Sequence, residues 1–141
     1  MSATKILVCE NNALIFKAMK AALKNESYTL HWASDGRQAL ELLKKEPFDL
    51  VLTEILLPFF SGLELIQNLR SKQRMSIPIL VLSVINTSTT IDLALQLGAN
   101  EFMPKPFAPE SLKSRIAQML VNTPSKRNSY VKNDHLYNLY N

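Results

Sequence analysis

Cysteine is almost missing: Cys9 is the only one in 141 residues, which excludes an internal disulfide framework and a thiolate zinc site and suits a reducing compartment. Glycine is scarce as well. Three glycines leave no room for a P-loop or a GxGxxG turn, so nucleotide binding of those kinds is excluded. No apolar run approaches the ~20 residues of a membrane span, and the first residues lack the charged-then-apolar pattern of a signal peptide. The sequence therefore predicts a cytoplasmic protein with no membrane role. His31 and His135 have no partner at metal-ligand spacing. Strong charge of one sign is also lacking where a core can form: the net charge is +4, but residues 1–121 hold 13 basic and 11 acidic side chains. Lys126-Arg127 is too brief a basic run to carry nucleic-acid affinity, which needs several phosphate contacts.

What is present is ordinary for one globular domain with a short appendage: 47% hydrophobic and 20% charged residues. A chain of this length buries roughly 68% of the surface that its unfolded form exposes, enough for a core without metal or disulfide. Apolar, β-branched blocks alternate with segments at helical spacing. Lys5 to Cys9, Tyr28 to Ala33, Phe48 to Thr53, Ile79 to Leu82 and Glu101 to Met103 read as five strands. Helices are expected from Asn12 to Asn25, after Ser34-Asp35-Gly36, from Ser61-Gly62 to Lys72, from Thr89 to a cap at Gly98, and from Pro109 to Val121. Trp32 and Tyr28, large apolar residues on the second strand, are expected in the core, as is Cys9.

Continuous apolar strands alternating with helices imply an α/β domain, a doubly wound five-stranded parallel sheet covered on both faces by five helices. In such sheets the working crevice lies beyond the carboxyl ends of the strands. Glu10 and Asn11, Glu54, Ser83 and Lys105 stand at those ends. Two carboxylates, a hydroxyl and an ammonium on one crevice suit a phosphoryl group with a divalent cation, because carboxylates take the cation and the other donors take phosphate oxygens.

The ordered landmarks KILVCENN, ASDGRQAL, FDLVLTEILLPFFSGLELI, IPILVLS and LGANEFMPKPF span residues 4–121 and closely resemble the receiver domain of two-component response regulators. The resemblance implies a flavodoxin-like sheet with strand order 2-1-3-4-5, a signalling module rather than an enzyme, and a protein partner such as a histidine kinase or a downstream regulator. It assigns Glu54 to the phosphoacceptor position, Ser83 and Lys105 to the phosphate-holding positions, Phe102 to the switch aromatic, and Lys105-Pro106 to a bond commonly cis in the family. Phe102 also reads simply as a half-buried strand aromatic, and Ser83 as a capping hydroxyl.

Here the departures from the family pattern matter most. Receivers carry two acidic residues after the first strand, whereas this chain has Glu10 and then Asn11, one negative charge fewer for Mg²⁺. The acceptor aspartate is replaced by Glu54, whose extra methylene carries the carboxylate about 1.5 Å farther, to where a phosphoryl oxygen would sit. A misplacement of that size can cost ~100-fold in rate. Leu56, Val84 and Ile85 give the pocket an aliphatic rim. The expectation is a degenerate receiver, a pseudo-receiver acting by protein contact, with no cofactor beyond weak Mg²⁺ at Glu10, Glu54 and the Leu56 carbonyl. A Glu54–Lys105 pair that only holds the strand ends fits the same residues.

Three further possibilities stay open: a phosphorylatable receiver, alone or at the start of a larger regulator; a flavodoxin-like cofactor binder; and a homodimer through the fourth helix, fifth strand and fifth helix. Residues 122–141 turn polar and weakly basic, and read as a tail, a linker stub, or a docking segment carrying Leu136, Tyr137, Leu139 and Tyr140.

Overall fold

The apolar blocks become strands because they can be buried on two faces at once, and the helical segments supply the cover. The computed structural model describes residues 3–122. Its elements run β1 (Thr4–Cys9), α1 (Ala13–Leu23), β2 (Tyr28–Ala33), α2 (Gly36–Lys45), β3 (Leu50–Thr53), α3 (Gly62–Gln67), β4 (Ile79–Ser83), α4 (Ser88–Leu97), β5 (Glu101–Pro104) and α5 (Pro109–Asn122). All strand pairs are parallel, in the order β2-β1-β3-β4-β5.

Side chains alternate across the sheet with period two. Leu7, Cys9, Val51, Ile79 and Val81 face one way, against Ala39, Leu43, Leu65, Ile66, Leu69 and Ala94. Ile6, Val8, Leu50, Leu52, Leu80 and Leu82 face the other, against Met19, Leu23, Leu112, Ile116 and Met119 of α1 and α5. Each such aliphatic contributes about 1.5–3 kcal/mol by leaving water. The order reverses between β1 and β3, so the crevice opens where Glu10 and Glu54 leave those strands.

Most helices start as their sequences suggest. Asn12, Asp35, Ser61 and Thr87 cap α1, α2, α3 and α4 with their side chains, and Ser61 and Glu64 form a reciprocal capping box. Gly98 ends α4 at φ 125°, a conformation that favours glycine.

Three expectations are corrected. The third strand begins at Leu50 rather than Phe48, because the Asp49 N–H and carboxylate are already bonded to the Lys5 backbone. The third helix does not stay α-helical to Lys72; it winds into a π-helical turn over Asn68–Lys72, closed by Gln73 N–H donating to the Asn68 carbonyl at 2.9 Å. Arg70 in that turn donates to the carbonyls of Gly98, Met75 and Ile77 and to Asn100 Oδ1, fastening it to the loops around β4. Trp32 is not in the core: it is 40% exposed on the edge strand β2, while Tyr28 is half-buried. The tail, residues 123–141, lies outside the described residues, and with it the docking segment expected there.

Candidate functional site

Backbone hydrogen bonds fix the two strand ends at the mouth between β1 and β3. The Glu10 N–H donates to the Ala33 carbonyl and the Glu54 N–H to the Cys9 carbonyl, both at 3.0 Å. The two carboxylates therefore leave neighbouring strand ends toward one pocket, and both residues are buried. Gly62 passes so close to Glu54 that a Cβ built on it would lie 2.2 Å from the Glu54 carbonyl oxygen, which makes glycine obligatory there.

Lys105 spans the two carboxylates. Its Nζ lies 2.6 Å from Glu10 Oε1 and 2.8 Å from Glu54 Oε2, with its side chain only 8% exposed. The lysine is fixed by its own N–H, which donates to the Ser83 carbonyl at 2.9 Å, and the Lys105–Pro106 bond is cis. Ser83, fully buried, donates its hydroxyl to Glu54 Oε1 and accepts from the Ile85 N–H at 3.0 Å. The N–H groups of Ile55, at 2.6 Å, and Leu56, at 3.3 Å, also point to Glu54 Oε1, and the Val84 N–H to Oε2 at 3.4 Å. Glu10 Oε2 accepts from the Asn12 N–H at 3.1 Å. Among the described residues no buried side-chain nitrogen or oxygen lacks a partner.

Burial pushes the Glu54 carboxyl up. Hydrogen bonds from Lys105 and Ser83, the Lys105 charge and the Ile55 N–H outweigh it, so the group sits below the usual glutamate value. Cys9, beneath the site, is pushed up to about 12, chiefly by burial, against a lowering bond from Thr53 and with a raising charge from Glu10. Such a thiol is inert.

The structure thus joins Glu10, Glu54, Ser83 and Lys105 in one network. Asn11 stands apart: it is exposed, and the bonds that shape the pocket pass from Glu10 to Asn12 instead. Leu56 and Val84 are exposed at the mouth, contributing backbone N–H groups rather than an enclosing wall, and Ile85 is half-buried against the core, so the aliphatic rim is open. Phe102 is likewise half-buried against the face that carries α4.

Mg²⁺ takes about six oxygens, several of them waters, around one or two carboxylates. The carboxylate oxygens here are committed to the Lys105 ammonium, to Ser83 and to backbone N–H groups, and the neighbouring Asn11 adds no charge. Mg²⁺ at Glu10 and Glu54 would have to displace the Lys105 ammonium, which lies between the two carboxylates, and share their oxygens with these donors.

Three contacts had no sequence signal. Trp32 Nε1 donates to the Glu10 carbonyl at 2.6 Å, and its ring stacks on Phe16, centroids 5.1 Å apart and 8° from parallel. Phe59, 66% exposed, sits at φ 72° with the Arg37 guanidinium 3.5 Å above its ring.

The family model for the response regulator receiver domain matches residues 6–117. The chain is 33% identical over 136 residues to the alkaline phosphatase synthesis transcriptional regulatory protein PhoP of Bacillus subtilis, covering 94% of this chain and 55% of that one. It is 33% identical over 119 residues to the response regulator MprA of Mycolicibacterium vanbaalenii, covering 84% and 51%. The chain spans about half the length of these curated relatives. The CheY-like receiver domain protein from Methanospirillum hungatei superposes with a TM-score of 0.79 at 26% identity, over 84% of this chain and 94% of that one.

Proposed function

Because the chain belongs to the response regulator receiver domain family of two-component systems, we propose that it is a pseudo-receiver, which signals by protein contact and does not use an aspartyl phosphate. One observation carries the reading. The Glu54 carboxylate takes both the Ser83 hydroxyl and the Lys105 ammonium, the two groups to which the family pattern gives the phosphoryl group. A built-in anion at that place holds the domain near one state, and the same contacts compete with a phosphoryl group and a cation for the Glu54 carboxylate. The protein is then not an enzyme and needs no metal or other cofactor.

Its partner is a protein, a histidine kinase or a downstream regulator, met through α4, β5 and α5, the face that would also serve a homodimer. No helix among the described residues is long and apolar enough to cross a membrane. Nothing in the pocket recommends direct binding of nucleic acid, and the proposed place of work is the cytoplasm.

The test is a pair of proteins offered acetyl phosphate with Mg²⁺. Wild type is expected to stay unlabelled, while Glu54→Asp with Asn11→Asp gains label, since together they shorten the reach and restore the missing charge. Label on the wild type would overturn the proposal. With an identified partner, Glu54→Gln is expected to change affinity, because the amide cannot hold Lys105 as the carboxylate does.

A further inference from the structure

We infer that Trp32 is a positioning residue of this pocket: its indole N–H fixes the Glu10 backbone so that the Glu10 carboxylate meets Lys105, and it couples the exposed β2–α1 edge to the ammonium. The inference rests on the pseudo-receiver reading of the pocket.

Burial alone does not explain a tryptophan here, since the ring is 40% exposed on an edge strand. What distinguishes it is the polar end. The Glu10 peptide groups are gripped from both sides by the end of β2: the N–H by the Ala33 carbonyl at 3.0 Å, and the carbonyl by Trp32 Nε1 at 2.6 Å. With both peptide planes held, the Cα–Cβ direction of Glu10 is set. The Asn12 N–H at 3.1 Å then holds Oε2, which leaves Oε1 aimed at Lys105 Nζ, 2.6 Å away.

Phe16 performs a separate task. Stacked at 5.1 Å and 8°, it holds the indole plane. Losing the indole N–H frees the Glu10 carbonyl to turn toward water. Glu10 then draws back from the ammonium, and an ion-pair attraction falling as the inverse of distance weakens with it. Lys105 leans on Glu54 alone, and its position between the two carboxylates is no longer fixed. A contact that moves Trp32 from outside acts on the same linkage, only one hydrogen bond from the pocket residue.

The experiment follows side-chain carboxyl and indole signals by NMR in the full chain. Trp32→Phe keeps the stacked ring and removes the donor, and Phe16→Leu removes the stack and keeps the donor. Trp32→Phe is expected to displace the Glu10 carboxyl resonance and to shift the Glu54 carboxyl resonance with it. Phe16→Leu is expected to displace both by less, since the donor remains. Equal effects of the two variants, or none from Trp32→Phe, would overturn the inference.

A measurement on the unmodified protein guards against misfolded variants. The Trp32 indole N–H signal is expected to shift together with the Glu10 and Glu54 carboxyl resonances during acidification, and a flat indole signal would refute the coupling. A wild-type Glu54 midpoint at the ordinary glutamate value would instead defeat the pocket reading itself, and the inference with it.

Discussion

Replacing Lys105 by methionine removes the one ammonium that two buried carboxylates share. At 2.6 and 2.8 Å, with an effective dielectric constant of ~20, each attraction amounts to about 6 kcal/mol before desolvation is subtracted. Desolvation of three buried ions offsets most of that, and removal of one partner from a buried pair costs about 3–5 kcal/mol in practice. Methionine fills similar volume, so the loss is electrostatic rather than a cavity.

The pH dependence distinguishes this cause from general damage. Without the ammonium, Glu10 and Glu54 repel, and the pair lowers its energy by keeping a proton, so a carboxyl is raised in the folded variant. A raised group loses stability as pH climbs through its folded value, whereas the lowered Glu54 of the wild type loses stability as pH falls. The gap between the two proteins must therefore narrow on acidification. Urea unfolding at neutral pH and near the ordinary glutamate value of 4.5 measures it. A difference under about 1 kcal/mol at neutral pH, the size of a surface pair, or one that does not change with pH, would refute the argument.

Three further outcomes follow from the same contacts. Ser83→Ala takes a donor from Glu54 and an acceptor from the Ile85 N–H, and is expected to cost about 1–3 kcal/mol in urea unfolding. Gly62→Ala drives a methyl group to 2.2 Å from the Glu54 carbonyl oxygen; a loss of about 1–3 kcal/mol and displaced amide signals at Glu54 and Ile55 are expected. Because Glu54 is lowered, its contribution to stability is complete above 4.5 and disappears as pH falls through its folded value, so the difference between wild type and Glu54→Gln should shrink only below that point.

The sheet was legible because its strands are unbroken apolar runs and its helices carry capping residues, features set by neighbours within a few positions. Glu10, Glu54, Ser83 and Lys105 were legible for a related reason: strand ends in such a sheet converge, so position along the chain is position in the crevice. Side-chain placement follows a different physics. Asn11 was counted in the pocket because it adjoins Glu10, but a turn into the Asn12 cap sends it to solvent. The rim of Leu56, Val84 and Ile85 was read from side-chain type, while the backbone N–H groups of Leu56 and Val84 are what the pocket uses. Trp32 was assigned to the core on apolarity, and only the three-dimensional register of β2 beside β1 brings its indole to Glu10. The π-helical turn at Asn68 and the left-handed backbone at Phe59 leave no mark in composition or periodicity.

The central claim is that Glu54 and Lys105 occupy from within the places of phosphoryl group and cation. It is met most directly by an amide NMR spectrum of the wild type with and without Mg²⁺ and beryllofluoride, a phosphoryl mimic. The account predicts no movement at Glu10, Glu54, Ser83 and Lys105 even at millimolar ligand. Shifts clustered at those four residues would contradict it and make the protein a working phosphorylation switch.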